Sequence, residues 1–321
     1  MRMILVEAFG GPEVLNWVEV ADPAPLAGEV LVDIKACGVG AADVMLRTGR
    51  HPLAPHAPVR PGNEVAGVVS TVGEGVSKTL VGARVAFQTS VGGYAEKVTA
   101  PAGALIHLPD NLPFDIACAI PVTVQTAHRM LVDAASLREG QTVLIYGAAG
   151  SVGGAALAIA GRIGATTIAV ASGEERVRRA REAGAHHVID RSKGSIVDGV
   201  RQINSTGVDL ILDPICGPEL NERLAMLAPL GQLVLYGIMG GPPSDLFGGL
   251  LANFTRAVSI RAFSLVAFTL PQKVESAQRI ADEIATGAFR LSEPLRFPLR
   301  EAAAAHAALE KGLAARIVLL P

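Results

Sequence analysis

The residues best placed by type and spacing to do chemistry form the run Gly147-Ala148-Ala149-Gly150-Ser151-Val152-Gly153. It follows the apolar run Thr142–Tyr146 and opens the apolar stretch Val152–Ile163, a pattern that predicts strand, tight turn and helix. Glycines let the chain turn sharply and let its backbone approach a ligand. The unpaired N–H groups of a helix N-terminus then attract a pyrophosphate. G-x-x-G-x-x-G is a relaxed dinucleotide fingerprint, and its place at the head of a βαβ run gives it weight. Gly147, Ala149, Gly150, Ser151, Val152 and Gly153 are therefore expected to hold a dinucleotide.

The tip of the second strand selects the cofactor. NAD sites usually carry Asp or Glu there, bound to the ribose hydroxyls. Here Thr166–Ala171 runs into Ser172-Gly173, with no acid at the tip. Arg176 follows, and Arg191 ends the third strand. Guanidinium groups match phosphate geometry, so Ser172, Arg176 and Arg191 are expected to cage the 2′-phosphate of NADPH. The alternative is an NAD site in which Glu174 or Glu175 reaches the ribose. Arg178 and Arg179 read as a solvated helix face.

The elements that must position these residues change style near residue 115. Before it, the β-rich runs Leu15–Val20, Glu29–Val39, Glu64–Val72, Ala83–Phe87 and Gly93–Val98 alternate with turn residues, as in an irregular antiparallel domain. After it come strand Thr142–Tyr146, helix Val152–Ile163, strand Thr166–Ala171, helix Glu174–Ala183 closed by Gly184, and strand His187–Asp190. Helix Ile196–Ile203, strand Val208–Asp213, a helix opened by Pro218, strand Gln232–Tyr236 and a sixth strand at Val258–Phe263 follow. Strand starts about 20–25 residues apart fit βαβ crossovers in a parallel sheet. The tail Pro271–Pro321 reads helix, strand, helix, strand, with its last strand, Arg316–Leu320, placed to close onto the first domain.

Composition limits the partners. The 321 residues carry 28 Lys plus Arg against 30 Asp plus Glu, a net charge of −2, so no nucleic-acid face is expected. Half the residues are apolar, enough for a large core. Three cysteines make no disulfide framework and point to a reducing cytoplasm. Gly140 to Gly161 and Leu224 to Ser244 lack charged side chains, but glycines interrupt the first, and Pro229, Gly231 and Gln232 the second. Neither is expected to span a membrane. The apolar run before Glu7 is too short for a signal peptide.

Four further motifs accompany the glycine turn. They are Ala36-Cys37-Gly38-Val39-Gly40-Ala41-Ala42-Asp43 with Arg47-Thr48-Gly49, Arg60-Pro61-Gly62-Asn63-Glu64-Val65-Ala66-Gly67, Gly92-Gly93-Tyr94-Ala95-Glu96, and Pro121 to Leu131 with Thr126-Ala127. Together the chain resembles the medium-chain dehydrogenase/reductase superfamily, and within it the zinc-independent NADPH:quinone oxidoreductases. The resemblance implies an α/β protein with two domains. One is a GroES-like antiparallel β domain from both chain ends, residues 1–118 completed by 265–321. The other is a doubly wound parallel Rossmann sheet, 119–264, with an active-site cleft between the two. It also implies a homodimer paired through the edge strand near Val258–Phe263. Cofactor contacts are expected from Thr126 and, by fold analogy, from Tyr236, Gly237 and Ile238.

In zinc alcohol dehydrogenases of the superfamily, Cys, His and Cys surround a catalytic metal. The aligned positions are Gly40, Asn63 and Val122, none of which offers thiolate or imidazole. The hydroxyl relay falls at Ala42, and the four-cysteine lobe is missing between Phe87 and Gly92. No metal is expected. Cys37 and Cys118 read as small buried apolar residues. On the acceptor side the resemblance points to Asp43, Met45, Arg47, His51 and Asn63, with Asp43, Arg47 and Asn63 as catalytic candidates. Beside that stand structural readings: Asp43 and Arg47 as a buried ion pair, His51 as a loop residue, Tyr94 as packing. Without a Lewis acid, a simple alcohol is a poor substrate. A conjugated acceptor takes hydride as a delocalised oxyanion that hydrogen-bond donors stabilise. NADPH-dependent reduction of a small apolar quinone is the leading expectation. Reduction of an α,β-unsaturated carbonyl is the alternative, and a non-enzymatic NADPH-binding protein the third.

Overall fold

The structure, a computed structural model, describes residues 1–51, 56–312 and 315–321. It divides into two compact units, one of Met1–Gln125, Phe268–Ala288 and Glu293–Pro321, the other of Thr126–Ala267 and Phe289–Ser292.

The first unit is the GroES-like β domain, and both chain ends build it. Its sheet runs Leu295–Pro298, Ile317–Leu320, Glu29–Val39, Glu64–Val72, Arg84–Gln88, Ile106–His107, with Lys97–Pro101 also paired to Glu29–Val39. Only the pair formed by Leu295–Pro298 and Ile317–Leu320 is parallel. The last strand therefore does close onto the N-terminal half. Strand alternation explains the core: Val30, Val32 and Ile34 share one cluster with Val65, Val85, Ile317 and Leu319. One strand differs from expectation. Residues 93–96 do not run in the sheet, because the Gly93 and Tyr94 amides bond the carbonyls of Gly62 and Pro61, each at 3.0 Å. Only Ala95 makes a bridge, to Met3, and the strand begins at Lys97.

The second unit is a doubly wound Rossmann sheet. Its order is His187–Asp190, Thr166–Ala171, Thr142–Ile145, Val208–Asp213, Leu227–Leu235, Ser259–Ala262, all parallel. Thr142–Ile145 is buried throughout, as a central strand covered on both faces requires. The chain builds outward from it through Thr166–Ala171 and His187–Asp190, then returns to its other side at Val208–Asp213. That reversal is the switch point where ligands of such sheets bind. The fifth strand starts earlier than its apolar run indicates. Leu227 pairs with Val208, then the register jumps to Gln232 against Leu210, with Leu230 in the left-handed region at φ 65°. Among the described residues no helix is long and apolar enough to cross a membrane.

Candidate active site

The glycine turn lies at the switch point. Gly147 adopts φ 64°, a left-handed conformation that favours glycine, and a Cβ there would meet Pro214 Cγ at 3.3 Å. Helix Ser151–Ile163 follows, with Gly150 as its N-cap. Gly150 has no side chain to bond the first-turn amides, so the helix start presents bare N–H groups. Gly153 sits so close to Gly147 that a Cβ would overlap the Gly147 carbonyl oxygen. Ala149 is half-exposed within the turn, and Ser151 and Val152 are half-buried on the first helical turn. The turn leaves a recess fronted by bare N–H groups, and a larger residue at position 153 would close it.

The tips of the next two strands are tied together. The Arg191 amide bonds the Ala171 carbonyl at 3.0 Å, and the Gly173 amide bonds Asp190 Oδ1 at 3.2 Å. This brings Ser172, Arg176 and Arg191 to one edge. Arg176 is half-buried, with Nη1 3.4 Å from the Ser172 carbonyl, and Arg191 is exposed. Glu175 is engaged elsewhere: it pairs with Arg178 and Arg179, each at 2.7 Å, which lowers its pKa. Arg178 also pairs with Glu182, so Arg178 and Arg179 form the solvated helix face that the charge run indicated. Asp190 is the acid at this edge, unremarked in the sequence. Its Oδ1 accepts from Ser192 Oγ at 2.6 Å and from the Ser192 amide at 3.0 Å, bonds that hold its pKa low. It acts as a turn brace.

Tyr236 follows the fifth strand, with its amide bonded to the Asp213 carbonyl at 3.0 Å. Burial raises its hydroxyl pKa. A Cβ at Gly237 would overlap the Pro214 carbonyl, and Ile238 is exposed. Thr126 is half-buried at the start of this unit, in helix Gln125–Arg129. The turn, the two strand tips and the Tyr236 segment all lie at C-terminal strand ends, where a dinucleotide fits.

In the β-rich unit the acceptor-side candidates separate. Asp43 caps helix Ala41–Arg47: Oδ2 accepts from the Gly40 amide at 2.9 Å, and Oδ1 from the Gly62 amide at 2.8 Å. The nearby Tyr94 hydroxyl also favours its charged form. Burial raises its pKa to about 6, although these hydrogen bonds pull it down. Arg47 is 1% exposed and makes no ion pair with Asp43 among the described residues. Its Nε donates to the Gly10 carbonyl at 3.1 Å, Nη1 lies 3.4 Å from His306 Nδ1, and Nη2 pairs with Glu310 at 2.5 Å. The expected Asp43–Arg47 ion pair is therefore not formed, because Glu310 takes the guanidinium instead. The two are linked through Tyr94, whose hydroxyl lies 3.0 Å from His306 Nε2. Tyr94 is buried, packed edge-on against His306, but it is polar brace as well as packing.

Asn63 is different. It is half-buried, and its side-chain amide has no partner among the described residues. The adjacent Glu64 was legible only as a motif letter. It is buried, with its carboxylate bound by the Thr123 amide and hydroxyl, each at 3.0 Å. Burial raises its pKa to about 7. A side chain at Gly38 would overlap this carboxylate. Cys37 and Cys118 are fully buried, and desolvation pushes both thiols up. Among the described residues no group of three or more His, Cys, Asp or Glu is arranged to hold a metal ion. His51 is half-buried with its amide on the Met45 carbonyl at 3.1 Å.

Comparison with known proteins defines the family. Residues 151–281 match the family model for zinc-binding dehydrogenases, and residues 26–110 that for the alcohol dehydrogenase GroES-like domain. A quinone oxidoreductase of Lama guanicoe is 34% identical over 100% of this chain and 97% of its own. A mycobacterial protein solved with NADPH superposes with a TM-score of 0.91 at 32% identity, covering 100% of both chains. Escherichia coli quinone oxidoreductase, also solved with NADPH, superposes with a TM-score of 0.92 at 28% identity, again covering 100% of both. The chain belongs to the quinone oxidoreductase branch of the medium-chain dehydrogenase/reductase superfamily, and it is an oxidoreductase.

Proposed function

We propose that the protein binds NADPH and uses it to reduce a quinone, without zinc. The observation that carries the cofactor choice is the edge formed by Ser172, Arg176 and Arg191, with Glu175 locked into ion pairs of its own. NADPH, when bound, supplies the hydride. The protein's part is placement and charge. First-turn amides of helix Ser151–Ile163 would hold the pyrophosphate, and the Tyr236-Gly237-Ile238 backbone would hold the nicotinamide end. Asn63 is the acceptor-side donor: its free amide stabilises the oxyanion that forms when hydride reaches a conjugated ring. Solvent supplies the second proton. Asp43 and Arg47 act as positioning residues, since their polar atoms are spent on Gly40, Gly62, Gly10, His306 and Glu310.

Zinc does not fit. Gly40, Asn63 and Val122 occupy the positions that resemblance assigns to its ligands, and none of them carries a thiolate or imidazole. We also take the protein to be a cytoplasmic homodimer, paired along Ser259–Ala262. The test is loss of NADPH absorbance with benzoquinones, naphthoquinones and 2-alkenals, beside reduction of NADP by primary and secondary alcohols and elemental analysis for zinc. Turnover of quinones by zinc-free protein is expected. Faster turnover of 2-alkenals moves the assignment to an enone reductase. Alcohol oxidation alone, or activity lost on chelation, overturns it.

A further inference from the structure

We propose that His306 and Tyr94 are positioning residues for Asn63, links of a one-way hydrogen-bond relay that runs from the C-terminal helix Ala302–Glu310 to the carboxylate of Asp43. The relay lies within one unit. Its purpose rests on the reading of Asn63 as the acceptor-side donor.

Arg47 sets the direction. A guanidinium carries donors only, so Arg47 Nη1, 3.4 Å from His306 Nδ1, makes that nitrogen an acceptor. His306 is fully buried, and desolvation followed by the charge of Arg47 keeps it neutral. A neutral imidazole has one N–H, so the proton sits on Nε2 and is donated to the Tyr94 hydroxyl, 3.0 Å away. The hydroxyl proton is then left for another acceptor. Asp43 is that acceptor: Tyr94 lowers the pKa of Asp43, and Asp43 raises that of Tyr94, the reciprocal signs of a hydroxyl proton facing a carboxylate. Glu310, paired with Arg47 at 2.5 Å, holds the guanidinium at the head of the chain.

Asp43 and Tyr94 both grip the backbone just before Asn63. Asp43 Oδ1 accepts from the Gly62 amide at 2.8 Å, and the Tyr94 amide donates to the Pro61 carbonyl at 3.0 Å. Gly62 has φ 98°, and a Cβ there would lie 2.5 Å from the Tyr94 nitrogen, so the two segments are in close contact. The Asn63 carbonyl accepts from the Thr89 amide at 3.0 Å, while its side chain has no partner among the described residues. The aim of that side chain is therefore set by the backbone that carries it. Misplacing such a group by about 1 Å costs roughly 100-fold in rate.

Substitutions in the full chain test the relay. Gln can accept from Arg47 through Oε1 and donate to Tyr94 through Nε2, whereas Leu does neither. His306→Leu and Tyr94→Phe are each expected to lower kcat for quinone about 10-fold with the KM for NADPH unchanged, and His306→Gln to stay within about 2-fold of the parent. Combining His306→Leu with Tyr94→Phe is expected to lose no more than either alone, because the two act in series. Equal loss in the Leu and Gln variants, or losses that multiply, overturns the proposal. Two NMR measurements on cofactor-free protein need no turnover. Histidine-labelled protein is expected to show His306 neutral at neutral pH with its proton on Nε2. The Gly62 amide is expected to exchange about 10-fold faster in His306→Leu than in His306→Gln, with amides of strand Glu29–Val39 unchanged. A proton on Nδ1, a charged imidazole or equal exchange in the two variants overturns the relay. Should His306→Leu fail to fold, Tyr94→Phe and the His306 tautomer decide. If the parent reduces no quinone, the reading of function fails, and the two NMR signals decide the relay by themselves.

Discussion

Single residues divide by whether their polar atoms are free or spent. The Asn63 side-chain amide has no partner among the described residues, so Asn63→Ala is expected to lower kcat about 10- to 100-fold in the quinone assay, with little change in NADPH affinity. Arg176 flanks the Ser172 carbonyl, and Arg176→Ala is expected to weaken NADPH about 10-fold while sparing NADH, as measured by fluorescence titration. Equal loss for both cofactors would remove the 2′-phosphate role. His306 is spent. Burial, then the charge of Arg47, lowers its pKa from 6.5 to about 3. The unfolded chain takes up this proton near pH 6.5 and the folded one does not. Stability from His306 is therefore full above pH 6.5 and drains away as pH falls toward 3. Asp43 works the other way, because its raised pKa makes the folded state lose stability as pH rises from about 4 to 6. The difference between parent and His306→Gln isolates the first effect. In urea titrations it is expected to shift in the variant's favour between pH 6.5 and 4, and an unchanged difference would mean His306 titrates normally.

At the level of elements, the turn into helix Ser151–Ile163 is the sharpest constraint. Gly153 and Gly161 lie on the same helix but in different surroundings. At Gly153 a methyl overlaps the Gly147 carbonyl, whereas at Gly161 nothing lies within 4 Å. Gly153→Ala is expected to destabilise by about 2 kcal/mol or more and to abolish NADPH binding, through strain in the turn. Gly161→Ala is expected to stabilise by about 0.5–1 kcal/mol with binding intact, because alanine loses less backbone entropy. Thermal denaturation of the two variants separates a packing role from a general dislike of substitution in this helix.

For the whole molecule, the open edge of the Rossmann sheet is the feature that asks for a partner. Among the described residues Ser259–Ala262 pairs only with Leu227–Leu235, and its other edge carries no strand. Unpaired edges tend to recruit another chain. Phe254 and Val266, on either side of this strand, are 78% and 79% exposed. Light scattering at micromolar concentration is expected to give a dimer for the parent, and a monomer of unchanged melting temperature for the Phe254→Asp, Val266→Asp double variant. A monomeric parent would leave that apolar edge without the proposed use.

The sequence by itself determined whatever depends on neighbours in the chain. The apolar strands Thr166–Ala171 and Val208–Asp213 form over the residues their patterns mark, because apolar runs and burial coincide there. The glycine turn was legible for the same reason: strand, turn and helix are contiguous. The Ser172, Arg176 and Arg191 edge was legible because strand tips in a parallel sheet align once the strands are counted. What depended on distant partners was decided by the tertiary structure. Arg47 is held by His306 and Glu310, 259 and 263 residues away, so no local pattern separates a catalytic arginine from a brace. Glu64 is bound by Thr123, and the Gln125 amide is held by the Lys273 carbonyl, from a helix far along the chain. The bulge before Gln232 and the late start of strand Lys97–Pro101 arise likewise from pairing with Val208 and Gly62, contacts that exist only after the sheets assemble. Local periodicity fixes which face of an element is apolar, but the pairing of a buried polar atom is fixed by whatever folding brings against it.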